Sequence, residues 1–419
     1  MYKKIKANNY NIHFIKTDKY KTITIKINFK RKLKKEDVTI RNLLIDTLFS
    51  SSKKYPTKRL MEVETENLYG LSYRGFVFAS GIYSILSLET TFLNDKYTEK
   101  GNTLKSIDFL ADILLNPDVA NNEFNDYGFN LAYNNLEDEL LSLKENANLY
   151  SQIRLLELID DPAYSMRSIG YLDDLKKIKK ADLYNYYLDV IKNDNIDVFI
   201  VGNIDDKVID YFKNKFKFES RLIYKEPHIY KPDKYHKKVI NEIEEIDNSQ
   251  SKLVIGFKLI DLTDFERRYV LNIYNYLLGG SADSKLFKNV REKESLCYSI
   301  SSFSYPLTGL FTIKAGINAS NYNKTLKLIN KEIKDMEKGN IDIKDIENGK
   351  LAYINSLKEL NDSPNGLLSL YMSKYYVKAD SIANKIKNIK KVTYDDIINL
   401  SKKIKLDTIY LLKGTSNEE

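Results

Sequence analysis

The chain is poor in the residues that most often carry chemistry. Its single cysteine, Cys297, excludes an internal disulfide and fits a reducing compartment. Its three histidines are His13, His228 and His236, and no two stand four or five positions apart. One helical turn therefore cannot present a pair of them to a metal ion. No run approaches the roughly 20 apolar residues of a membrane span, and the basic start "MYKKIKANNYNIHFIKTDKYKTITIKINF" holds no continuous apolar core of a signal peptide. Lysine and arginine number 66 against 58 acidic residues, a net charge of +8, but they are spread along the chain rather than gathered in a block. Such a distribution reads as a solvated surface, not a nucleic-acid tail. These absences lead to the expectation of a soluble, cytoplasmic protein with no nucleic-acid and no membrane partner.

What the sequence does contain is a repeat. At 419 residues, 43% of them hydrophobic, the chain is long enough for two cores. "SGIYSIL" at 80–86 matches "TGLFTIK" at 308–314, pairing Gly81 with Gly309, Ile82 with Leu310, Tyr83 with Phe311 and Ile85 with Ile313. Farther along, "TLKSI" from Thr103 matches "TLKLI" from Thr325, "LAYNNLEDEL" from Leu131 matches "LAYINSLKEL" from Leu351, and "IKKADLY" from Ile178 matches "IKKVTYD" from Ile389. The order is kept and the spacing shrinks steadily, as small deletions in one copy would produce. A unit this long means two homologous domains rather than a solenoid.

Local patterns fill in the fold. "TITIKINF" at 22–29 alternates with period two, the mark of a half-buried strand. "TLKSIDFLADILLNPD" sets Leu104, Ile107, Leu110, Ala111 and Leu114 on one helical face and stops at Asn116-Pro117. "NIDVFIVGNI" at 195–204 and "LDTIYLLKG" at 406–414 read as buried strands closing each copy. Strands in hairpins, with long helices that do not alternate with them one for one, indicate an α+β protein: each domain a mainly antiparallel sheet with helices on one face. Residues 1–217 form the first domain, 246–419 the second, and 218–245 the linker, where periodicity fades around Pro227 and Pro232. A linker of this length allows the domains to face each other as a clam shell. "LLGGSADS" lacks the GK[ST] ending of a phosphate loop and reads as a helix C-cap and tight turn.

One stretch points to a family. "YLLGGSADSKLFKNVREKESLCYSI" resembles the second-domain signature of pitrilysin/insulinase-type zinc peptidases, the group of mitochondrial processing peptidase, in which a pattern close to LGGGxSSRLFxxVREKxGLxYSV recurs. More weakly, "DFLADILLNPDVANNEF" is similar to the segment before the family's third metal ligand, and "IKKVTYDDIINLSKKI" to its closing helix. The resemblance implies the LuxS/processing-peptidase-like metalloenzyme fold. Active members carry HxxEH on a first-domain helix, where two histidines hold zinc and the glutamate polarises the attacking water. The matching helix here reads "RNLLIDTLF", so the motif positions are Asn42, Leu43, Leu44, Ile45 and Asp46. Both histidines and the glutamate are missing, and the histidine count leaves no other place for HxxEH or its inverted relative. Glu139 falls near the third-ligand position, but on the residues alone it belongs to a solvated helix face. No metal is expected in this chain.

In heterodimeric members one chain supplies zinc and the other an arginine and a tyrosine, and Arg291 and Tyr298 stand at those positions. Arginine offers fixed planar donors to a peptide carbonyl, and a tyrosine hydroxyl can donate to an oxygen gaining charge. Cys297, adjacent on the strand, points the opposite way, toward packing. The resemblance therefore implies a non-catalytic subunit that completes a peptide-binding chamber. Its partner would be an HxxEH-bearing homologue holding the zinc, and its substrate a peptide or unfolded polypeptide. The alternative is a structural or binding homologue, a homodimer or assembly subunit, that keeps the fold for interaction only.

Overall fold

In the computed structural model, residues 1–161, 163–219 and 228–416 are described, and they divide into two compact units. The first comprises Met1–Ser142, Arg167–His228 and Glu359–Lys378, the second Leu143–Met166, Ile229–Lys358 and Ala379–Glu419. Pro227, one of the two prolines of the expected linker, lies outside the described residues.

The first unit is built on a six-stranded sheet of β1 (Tyr2–Lys6), β2 (Asn11–Lys16), β3 (Thr22–Lys32), β4 (Ser72–Ser80), β5 (Tyr83–Leu93) and β8 (Asn195–Gly202), in the order β1-β2-β8-β3-β5-β4. A two-residue ribbon, β6 (Val119–Ala120) with β7 (Glu123–Phe124), stands apart. The second unit holds β9 (Ile240–Ile246), β10 (Ser251–Leu259), β11 (Cys297–Tyr305), β12 (Leu310–Ile317) and β13 (Ile404–Gly414), in the order β11-β12-β10-β13-β9. Each sheet is antiparallel except for one parallel pair, β2 with β8 and β9 with β13. Read from the hairpin end, the first five strands of the one order correspond to the five of the other, with β1 as an extra edge strand in the first unit, which is the expected duplication in three dimensions.

The repeated glycines show why the copies match. Gly81 and Gly309 have φ of 60° and 67° and turn the β4–β5 and β11–β12 hairpins, a conformation in which a side chain is strained. Their neighbours Tyr83 and Phe311 are buried, as are Ile85 and Ile313. The last pairing shifts in the structure. The helices Lys180–Asn193 and Tyr394–Ser401 each open with an N-cap N–H donated to an aspartate three residues on, Lys179 to Asp182 and Thr393 to Asp396. Ile178 therefore matches Val392, not Ile389. After "NIYNYLL", both Gly279 and Gly280 donate to the Asn275 carbonyl, at 3.1 and 2.7 Å, capping the helix as expected.

Residues 240–245, read as linker, belong to the strand Ile240–Ile246. Its half-covered positions are Ile240, Glu242, Glu244 and Ile246, so the alternation of burial is regular while that of hydrophobicity is not. Arg154 bonds Glu242 at 2.9 Å, and Tyr150 and Tyr410 donate to Glu244 at 2.8 and 2.9 Å, which makes the two carboxylates tolerable there.

The main core of the first unit lies between one sheet face and helices that include Lys35–Leu48 and Asn102–Leu115. The opposite face is covered in part by a single helix, Pro364–Val377, drawn from the far end of the chain. For this reason β3 is buried on both sides rather than on one. Its polar positions are matched individually: Lys26 with Glu89 at 3.1 Å, Asn28 with Ser87 and Tyr376 at 2.8 and 3.2 Å, and Lys30 with His228 at 3.2 Å. Burial, reinforced by the Lys30 charge, pushes the His228 imidazole down to about 4. In the second unit the Ala147–Ile159 helix, from the first half of the chain, takes the equivalent place on β10 and β13. Each copy thus contributes a helix to the other's sheet.

Candidate functional site

The Lys35–Leu48 helix places its motif positions in unequal surroundings. Asn42 donates its amide to the carbonyls of Val38 and Ser168, at 2.9 and 2.8 Å. Ile45, where the family has its glutamate, is buried against β4, where a Cβ added at Gly75 would stand 2.4 Å from the Ile45 Cγ1. The absence of a side chain at Gly75 is what admits the isoleucine. Asp46 remains open to water, and so does Glu139 on the Asp126–Leu141 helix. Even so, the protein atoms packed around Asp46 raise its carboxyl to about 6, with the Glu139 charge adding to the shift and Lys58 opposing it.

These residues do not fit zinc. Ile45 brings no donor, the Asn42 amide is taken by backbone carbonyls, and two carboxylates remain where a tetrahedral site needs three or four ligands of the right type. Among the described residues no group of three or more His, Cys, Asp or Glu side chains could hold a metal ion.

The other predicted pair is brought together. Arg291 lies on a widened, π-helical turn, Phe287–Lys293, which closes with the Leu296 N–H on the Val290 carbonyl at 3.1 Å. Such turns are rare and recur at functional sites. The guanidinium is exposed over the Phe287 ring, 4.6 Å from its centroid, and makes no ion pair among the described residues. Ser295, with φ of 51°, turns the chain into β11, where a bulge between Cys297 and Ser299 leaves Cys297 buried and both Tyr298 and Ser299 facing outward. The Tyr298 hydroxyl donates to the Asn318 Oδ1 at 2.9 Å.

Arg291, Ser295, Cys297, Tyr298, Asn318 and Asn321 line one open recess of about 380 Å³. Burial raises the Cys297 thiol to about 11, against the pull of the Arg291 charge. The thiol is thus a packed group, not a nucleophile. β11 is also the edge strand of its sheet; beyond the recess its outer backbone has no strand partner among the described residues, but the outward Ser302 N–H is held by the Gly279 carbonyl at 3.0 Å. Sequence reasoning did not identify Asn318 and Asn321. Their signal was the turn cluster "NASN" at the end of β12, which antiparallel pairing of Cys297 with Ile317 sets beside Tyr298.

Comparisons with known proteins bear on the fold and the family. A family model described as "Peptidase M16 inactive domain" matches residues 177–353. The chain is 29% identical over 418 residues to "Probable inactive metalloprotease YmfF" of Bacillus subtilis, covering 98% of this chain and 97% of that one. It is 28% identical over 249 residues to "Uncharacterized zinc protease YmxG" of the same organism, covering 55% of this chain and 59% of that protein. A solved structure of a conserved protein from Enterococcus faecalis superposes over the full length of both chains with a TM-score of 0.90 and 25% identity. The peptidase M16 inactive domain from Pseudomonas fluorescens shares the fold, with a TM-score of 0.79 at 15% identity over 100% of this chain and 99% of that one. With its duplicated sheets, its signature stretch and these relatives, the chain is similar over its whole length to inactive-type members of the pitrilysin/insulinase-type (M16) zinc-peptidase family, and it lacks HxxEH.

Proposed function

We propose that the chain is the non-catalytic subunit of a heterodimeric zinc peptidase, completing a peptide-binding chamber and presenting Arg291 and Tyr298 to the zinc site of an HxxEH-bearing homologue. The observation that carries this reading is the shared recess: a guanidinium and a phenol, seven residues apart in sequence, open together at the recess end of an edge strand. An extended peptide can add to such an edge through its backbone, which gives affinity without demanding a particular sequence. Arg291 then orients a peptide carbonyl, and Tyr298 donates to the oxygen as charge builds on it. The pair acts on bound substrate, while the metal chemistry belongs to the partner. No helix among the described residues is long and apolar enough to cross a membrane, and a cytoplasmic site of action suits a chain with one free thiol.

Co-expression with an HxxEH-bearing homologue tests the proposal. The mixture should cleave an unstructured peptide in a chelator-sensitive way, and the double variant Arg291→Ala/Tyr298→Phe should lower kcat/KM by roughly 10²-fold or more, as loss of a transition-state donor does. Equal cleavage by the double variant would reject the role. A stable particle with no peptidase activity in any mixture would favour a binding homologue instead.

A further inference from the structure

The second face of the β10–β13 sheet is only partly roofed. The Ala147–Ile159 helix lies over β10 and β13, seated so closely that a Cβ at Gly256 would stand 2.7 Å from the Ile159 Cδ1. Toward the β11 edge the same face carries Ser299, Ser301, Phe303 and Lys314, with Lys252 opposite Gly316 one strand farther in. Phe303 is 42% exposed, and Ser299 is exposed as well. Over this strip the floor is shallow, because a Cβ at Gly316 would meet the Gln250 Oε1 and Ser299 Oγ at 3.0 and 3.1 Å.

Cations on the two parts of the face are treated differently. On the roofed part Lys258 has Asp161 at 3.2 Å, and Arg154 has Glu157 and Glu242 at 2.6 and 2.9 Å. On the open strip the Lys314 ammonium has the neutral Gln152 amide oxygen and the Phe303 ring, 5.0 Å away at its centroid, and Lys252 has the Gln250 amide oxygen. Neither has a carboxylate within ion-pair reach among the described residues. Burial lowers both ammonium pKa values with no carboxylate to offset it. A half-covered cation with only neutral acceptors is a standing cost that an incoming anion relieves.

The register says where that anion would sit. A peptide strand added to β11 between the recess and Ser302, whose N–H the Gly279 carbonyl holds at 3.0 Å, turns alternate side chains over this face. Lys314 lies directly opposite Ser301, and the small serine leaves room for the lysine to reach across the strand. Resting on the reading of the β11 edge as a peptide-binding edge, we propose that this strip selects extended peptides with acidic side chains on the face turned toward it, their carboxylates received by Lys314 and Lys252.

Two dye-labelled peptides of equal length, one repeating Thr-Glu and one repeating Thr-Gln, put the acidic groups on a single face. Fluorescence anisotropy at low ionic strength with the purified full chain should show the Thr-Glu peptide binding about tenfold tighter, the worth of a charge-assisted hydrogen bond. In the Lys252→Gln/Lys314→Gln variant, checked for folding by its melting curve, the Thr-Glu affinity should fall to that of Thr-Gln. Equal affinities for wild type, or a preference that survives in the variant, overturn the inference while leaving the edge reading intact. If neither peptide binds, the edge reading fails and this selectivity with it.

Discussion

Asp46 occupies the place of a zinc ligand and has acquired the titration of a crowded carboxyl. Its pKa stands at about 6 instead of 3.8, first because surrounding atoms disfavour its charge and then because Glu139 does. A folded-state pKa raised in this way means that the native protein holds the proton more tightly than the unfolded chain does. The associated stability is complete below 3.8 and lost as pH rises through about 6. The neutral variant Asp46→Asn lacks that slope. Thermal midpoints measured across the interval should converge at the acid end, with the variant gaining on wild type as pH rises; parallel profiles would show that the site exerts no such strain. At this scale the sequence was informative about identity and silent about setting. That Asn42, Ile45 and Asp46 stand in place of the two histidines and the glutamate could be read directly. That Gly75 makes room for Ile45, and that backbone carbonyls engage Asn42, depended on chain segments brought in by folding.

Among the elements, the Pro364–Val377 helix illustrates what periodicity conveys and what it cannot. Tyr376 on that helix stacks on His228 at 4.8 Å, stands over the Lys30 ammonium at 4.9 Å and bonds Asn28 at 3.2 Å. Tyr376→Ala should cost about 3–5 kcal/mol of unfolding free energy, and Tyr376→Phe only about 1 kcal/mol, because most of its contribution is packing. Denaturant titration separates the two, and a loss under 1 kcal/mol for alanine would contradict the burial of this face. The alternation in β3 was legible, yet its polar side looked solvent-facing because the helix that covers it lies hundreds of residues away. β9 was hidden for a related reason: Glu242 and Glu244 break the apolar alternation, and their compensation comes from Arg154, Tyr150 and Tyr410, which no local window contains. The hairpins needed no such help, since Gly81 and Gly309 with their apolar neighbours state the turn and its strands together. Arg291 and Tyr298 were singled out by the family resemblance of the stretch that holds both, not by local composition, whereas Asn318 enters the recess through strand pairing.

For the molecule as a whole, duplication and exchange of helices have a consequence for folding. The segment 1–228 lacks the Glu359–Lys378 stretch that completes the first unit, and 229–419 lacks Leu143–Met166 of the second. Expressed separately, each half should leave a sheet face uncovered, bind hydrophobic dyes and aggregate, while co-expression should yield a soluble one-to-one complex. Either half folding alone as a stable, cooperatively melting monomer would show the exchanged helices to be dispensable. The central claim is that a peptidase scaffold persists without the side chains that held its catalytic metal. Mass-spectrometric zinc analysis of the purified chain, with peptidase assay of the same sample, tests this most directly. The account predicts zinc far below one equivalent and no cleavage by the chain alone; one tightly held equivalent, with cleavage abolished when it is stripped, would contradict it.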